Sequence, residues 1–127
     1  MVRIAHVKFI TREMVKSHPE RMFVFGDNVA RVGLGGQAKE MRGEPNSIGI
    51  VTKWLPSSND QSYFYDFQFP AVKLLIEQDF RRLFDFPGTI VWPLDSIGRG
   101  LARLDVTSPL TLKYIEKLKG ELEYYVQ

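Results

Sequence analysis

Met22-Phe23-Val24-Phe25-Gly26-Asp27-Asn28, running on to Gly33-Leu34-Gly35-Gly36-Gln37, is a short apolar run that opens into a glycine loop and then into a helical stretch, Gly36 to Arg42. An apolar run of this length suits a strand covered on both faces. The same order recurs where Thr89-Ile90-Val91-Trp92 leads to Ser96-Ile97-Gly98-Arg99-Gly100-Leu101. In an open α/β sheet the carboxyl ends of parallel strands share one edge, so two such loops, distant in sequence, are expected to meet over one crevice. Glycine permits positive φ and close ligand approach, and the helix that follows directs N–H groups at an anion. A pyrophosphate fits that description. Neither loop is a standard fingerprint, since the third-glycine spacing of a dinucleotide motif and a Gly-Lys-Ser/Thr sequence are both missing.

The rest of the chain keeps the alternation. Residues 3 to 10 alternate and predict a half-exposed edge strand, with Ala5, Val7 and Phe9 on one side and Ile4, His6 and Lys8 on the other. Thr11 to Ser17 predicts a short helix stopped by His18-Pro19, and Ile48-Gly49-Ile50-Val51 predicts another buried strand. Val72, Ile76, Phe80 and Leu83 recur at helical spacing within Pro70 to Phe86, with Lys73, Glu77 and Arg81 opposite. Ser108 as N-cap and Pro109 at the first helical position announce a last helix, whose buried stripe is Leu112, Ile115, Leu118 and Leu122. Strands alternating with helices predict an α/β layered fold with a mostly parallel sheet.

A chain of 127 residues is read as one domain, residues 1–127, with 44% hydrophobic and 25% charged residues, as in soluble globular proteins. No apolar run reaches membrane-spanning length, and Met1-Val2-Arg3-Ile4-Ala5-His6 lacks the form of a signal peptide, so a cytoplasmic address and no membrane partner are expected. With no cysteine and only His6 and His18, neither a disulfide framework nor a metal centre is expected. The net charge of +2 does not demand nucleic acid, although Arg99 with Arg103, or Lys39 with Arg42, could form a local basic patch. The stretch from Trp54 to Phe69 matches no regular element. Its aromatics, Tyr63, Phe64, Tyr65, Phe67 and Phe69, read either as a flap stacking on a base or ribose or as rings plugging the core; the second is favoured for most of them.

Three patches together resemble the macrodomain family, in its compact phage and bacterial forms and in the class that removes terminal ADP-ribose from protein or DNA. They are Phe25-Gly26-Asp27-Asn28 through Gly33-Leu34-Gly35-Gly36-Gln37-Ala38, then Ile50-Val51-Thr52-Lys53-Trp54, then Pro93-Leu94-Asp95-Ser96-Ile97-Gly98-Arg99-Gly100-Leu101-Ala102. The resemblance implies a three-layer α/β/α fold and a mono-ADP-ribosyl glycohydrolase whose partner is ADP-ribose or an ADP-ribosylated macromolecule, nucleic acid being one candidate carrier. No cofactor is implied. Lys53 would be the catalytic base or nucleophile, and Asn28 would hold the distal ribose. Gly33, Gly35 and Gly36 would close over that sugar and its phosphate, Gln37 and Thr52 would belong to the same ligand site, and Ser96, Ile97, Gly98, Arg99, Gly100 and Leu101 would wrap the diphosphate.

Two positions depart from that pattern. Asp27 stands where serine or alanine is expected, and either binds a ribose hydroxyl, polarises water or caps the turn. Ala102 stands where the protein-directed members carry an acid, which leaves base catalysis or pure binding of ADP-ribose or a related signalling nucleotide open. An interaction domain with merely structural glycine turns is a third reading. Ser96 and Asp95 do not form a nucleophile elbow, so a Ser-His-Asp hydrolase is discounted.

Overall fold

A computed structural model describes residues 3–94 and 97–124. Strand β1 is Ile4–Val7, helix α1 Arg12–Ser17, β2 Met22–Asn28, α2 Ala38–Met41 and β3 Ser47–Lys53. Two 3₁₀ turns, Asp60–Ser62 and Asp66–Gln68, lead into α3, Phe69–Asp85; β4 is Ile90–Pro93, α4 Leu104–Thr107 and α5 Pro109–Glu123. The sheet has the order β1-β4-β2-β3, and every strand pair is parallel.

Side-chain alternation along the central strands divides the core in two. Phe23, Phe25 and Val91 face one side and meet Ile10 and Val15 from the first helical layer and Ala38 and Met41 of α2. Val24, Ile48, Ile50, Ile90 and Trp92 face the other, against Val72, Ile76, Phe80 and Leu83 of α3 and Ile115, Leu118 and Leu122 of α5. The result is a three-layer α/β/α arrangement, and both predicted helical stripes are buried as expected.

This topology opens a crevice. Neighbouring strands β2 and β4 send their carboxyl-terminal loops to helices on opposite faces, α2 on one side and α4 and α5 on the other, the arrangement that leaves a crevice at the carboxyl edge of the sheet.

Three local expectations need correction, and the favoured core reading of the 54–69 aromatics holds for Tyr63 and Phe64. The first strand stops at Val7, whose carbonyl accepts from Leu94 N at 2.7 Å, and Lys8 and Phe9 leave the sheet exposed. It is an edge strand, as expected, paired with β4 alone. The helix foreseen over 36–42 is a single turn, because Gly36 has φ +56° and Arg42 is already extended. Ser108 is the N-cap of α5 by position but not by chemistry: its hydroxyl bonds Thr111 and Asp66, and the Asp66 carboxylate accepts from Leu110 N at 3.1 Å. The 54–69 segment is mostly folded, with Tyr63 and Phe64 buried and Trp54 edge-on to Phe64 at 5.0 Å, while Phe67 is exposed.

Candidate functional site

Above the carboxyl ends of β2, β3 and β4 lies a cleft of about 600 Å³, a size ordinary for a small-molecule site. Both glycine loops line it. They touch each other: a Cβ on Gly35 would stand 3.0 Å from Leu101 Cδ1. Of the sequence-predicted residues, Asp27, Asn28, Gly33, Gly35, Gly36, Gln37, Thr52, Lys53, Ile97, Gly98, Arg99, Gly100 and Leu101 all line this cleft. Ser96 lies outside the described residues.

Asn28 ends β2 at a register slip against β3, which pairs it with Lys53. Such bulges re-aim side chains. Its Nδ2 donates to Val32 O at 2.7 Å, which assigns the amide orientation, and the residue is 5% exposed. The Asn28 Oδ1 is buried without a hydrogen-bond partner among the described residues. A buried acceptor left in that condition carries a desolvation cost of about 1–3 kcal/mol, so it stands ready for a donor.

Lys53 is 8% exposed. Its Nζ donates to Ser57 O at 2.7 Å and lies 4.7 Å from the centroid of the Tyr63 ring. No ion pair joins it to a carboxylate among the described residues. Burial therefore lowers its pKa below the ordinary lysine value, with nothing ionic to hold the proton. Thr52, buried beside it, donates its hydroxyl to Asp27 O at 3.0 Å and ties β3 to β2.

The backbone of the first glycine loop is open. Among the described residues, no acceptor faces the N–H groups of Gly33, Leu34, Gly35, Gly36 or Gln37. Gly36 at φ +56° is followed by Gln37 in the right-handed region, a geometry that turns successive N–H groups to one side. The Gln37 side chain is engaged elsewhere, accepting from Ile10 N and donating to Ile10 O, both at 2.8 Å. It anchors the loop to the end of β1 rather than reaching into the cleft.

Lys8, Arg42, Lys53 and Arg99 line the cleft against one carboxylate among the described lining residues, Asp27. That balance favours an anionic ligand. Asp27 is itself occupied: Oδ1 accepts from Asn28 N at 2.8 Å and from Arg42 at 2.5 Å, and Oδ2 lies 3.5 Å from Arg31. The bond to Asn28 N reaches only the next residue, not the i+2 N–H that an Asx-type cap would hold, and what the structure shows is a buried ion pair. Arg99 points outward, its guanidinium 3.0 Å from Glu116 of α5. Phe9, Leu94 and Leu101 give the mouth an exposed apolar wall.

Sequence reasoning missed the arginine pair and the wall. Gly49 was the available clue, since a glycine inside a strand marks a close approach. A Cβ there would stand 2.4 Å from Asp27 Oδ2.

The fold and cleft define a three-layer α/β domain with an open cleft at the carboxyl edge of a parallel sheet. The chain belongs to a family of unknown function, DUF7831, whose model matches residues 5–118. No curated protein and no solved structure matches it. Among the described residues, no helix is long and apolar enough to cross a membrane and no group of side chains could hold a metal ion.

Proposed function

We propose that the cleft binds ADP-ribose and that the protein is a macrodomain-like mono-ADP-ribosyl glycohydrolase, acting in the cytoplasm on a modified macromolecule, DNA or protein. The observation that carries this reading is Asn28, a buried amide in the lining of an open cleft whose Oδ1 has no hydrogen-bond partner among the described residues. A ribose diol supplies hydroxyl donors to it, and the free N–H groups of the first glycine loop suit the adjoining phosphate.

In this reading Lys53, whose pKa burial lowers from the ordinary lysine value, takes a proton from water as the water oxygen bonds to the anomeric carbon. The glycosidic bond breaks, its electron pair leaves with the carrier atom, and that atom recovers a proton. A nucleophilic route, in which Lys53 itself attacks the anomeric carbon, is the variant to separate kinetically.

A non-catalytic binder is the second reading. It is favoured by Ala102, a buried methyl where an acid would assist, and by the engagement of Asp27 with Arg42, which leaves no uncommitted carboxylate among the described lining residues.

Isothermal titration calorimetry with ADP-ribose, against AMP, ATP and NAD, tests the site. Selective micromolar binding of ADP-ribose supports it, and absence of binding to all four ligands sinks both readings. Release of ADP-ribose from a modified substrate by wild type but not by Lys53→Ala then separates enzyme from binder.

A further inference from the structure

Arg42 lines the cleft and carries the charge expected of a phosphate clamp, yet its hydrogen bonds point to another task. Nε donates to Gly33 O at 2.8 Å; Nη2 donates to Asp27 Oδ1 at 2.5 Å and to Val32 O at 3.2 Å; Nη1 donates to Asp27 Oδ2 at 3.3 Å. All but one of its N–H donors are engaged. The plane of the guanidinium also lies over the Phe25 ring, 5.6 Å from its centroid.

These partners belong to the ligand-facing chain segment. Val32 O accepts from Asn28 Nδ2, Asp27 Oδ1 accepts from Asn28 N, and Gly33 sits at φ +95°. We propose that Arg42 is a positioning residue: through Asp27 and the carbonyls of Val32 and Gly33 it fastens the first glycine loop so that Asn28 Oδ1 and the loop N–H groups face the ligand. Gly49 belongs to the same device, because any side chain there would displace Asp27 from the guanidinium.

The bidentate fork is the essential property, since lysine retains the charge but offers no planar pair of donors. Arg42→Lys therefore separates positioning from direct phosphate attraction. The inference rests on the ADP-ribose reading for its ligand, but its geometry can be read without one.

The test compares wild type, Arg42→Lys, Arg42→Ala and the stability control Asp66→Ala, which weakens the cap of α5 away from the cleft. Calorimetry with ADP-ribose at several salt concentrations gives affinity and its salt slope. Hydrogen exchange and NMR shifts of the Asn28 side-chain amide and the Gly33 amide, recorded without ligand, give loop geometry. We expect Arg42→Lys to lose about tenfold or more in affinity, the equivalent of one hydrogen bond to a charged group, with an unchanged salt slope. Its Asn28 side-chain amide should exchange faster in the ligand-free protein, while Asp66→Ala should lose stability but keep affinity and the Asn28 signal. Affinity retained in Arg42→Lys, a flattened salt slope in Arg42→Ala, or an Asn28 amide unaltered by Arg42→Lys would overturn the assignment. If wild type binds no ADP-ribose, the functional reading falls, and the ligand-free exchange comparison still decides the positioning role.

Discussion

Asn28 is the strand partner of Lys53: the β2–β3 register slips between Asp27 and Asn28, and the next backbone bond, Val29 N to Lys53 O, closes at 2.9 Å. One bulge therefore brings an amide whose oxygen is unpaired among the described residues and a buried ammonium to the rim of the same cleft. Burial is costly for each, for an oxygen without a donor and for an ammonium removed from solvent. Costly buried groups gathered in one cleft make that cleft the candidate site.

Replacing Asn28 tests that view through stability and binding together. Asn28→Ala removes the bond to Val32 but also the cost of burying a partnerless oxygen, so its stability should stay within about 1 kcal/mol of wild type. ADP-ribose affinity should fall at least about tenfold. Chemical denaturation with parallel calorimetry measures both. A large loss of stability with affinity retained would make Asn28 a structural residue.

Lys53→Met should raise the melting temperature of the ligand-free protein while abolishing release of ADP-ribose. The sign follows from linkage. With a folded pKa below the unfolded one, the unfolded chain binds more protons between the two values, so stability rises with pH across that window in wild type. Lys53→Met should flatten this rise in thermal melts taken from neutral to alkaline pH. In the catalytic reading, wild-type turnover should climb as pH passes through the lowered lysine pKa; a flat profile would count against base catalysis.

The sheet and its principal helices could be read from the sequence because apolar runs and stripes report burial directly. Val72, Ile76, Phe80 and Leu83 are buried as their spacing predicts, and so are Leu112, Ile115, Leu118 and Leu122. The two loops announced themselves through glycine and bound the cleft together. What escaped were polar contacts made across long separations. Gln37 holds Ile10, Asp66 caps α5 at Leu110, and Asp79 reaches Arg31 and Val51. No periodicity encodes such pairings, because each depends on where two elements happen to cross.

Arg31 shows how strain and charge oppose one another. It has φ +58°, a left-handed conformation that disfavours side chains, yet it reaches Asp79 at 2.6 Å, Asp27 at 3.5 Å and Gly49 O at 2.8 Å. Arg31→Ala keeps the strain and loses the bonds; Arg31→Gly loses the bonds and relieves the strain. Arg31→Gly should therefore be the more stable of the two by about 1 kcal/mol. Because the arginine side chain is 42% exposed, solvent screening keeps both below the cost of breaking a fully buried pair. Equal unfolding midpoints for the two variants would remove strain from the account.

Asp79 supplies the last prediction, because its burial should be visible as a dependence of stability on acidity. Its side chain is 5% exposed, Oδ2 accepts from Val51 N at 3.0 Å and Oδ1 from Arg31. Burial raises its pKa above the ordinary carboxylate value, and the Val51 N–H and the Arg31 guanidinium pull it partly back. The folded state then binds more protons than the unfolded chain between the ordinary value and the raised one, so this group's contribution is fully present below that window and is lost as pH rises through its folded pKa. Asp79→Asn cannot ionise and should lack that fall. It retains one acceptor oxygen for two donors, so it should also be less stable at neutral pH by about 1–3 kcal/mol. Urea midpoints at a series of pH values from acid to neutral measure both effects. If the variant tracks the wild-type pH dependence at a constant offset, another carboxylate is responsible for it.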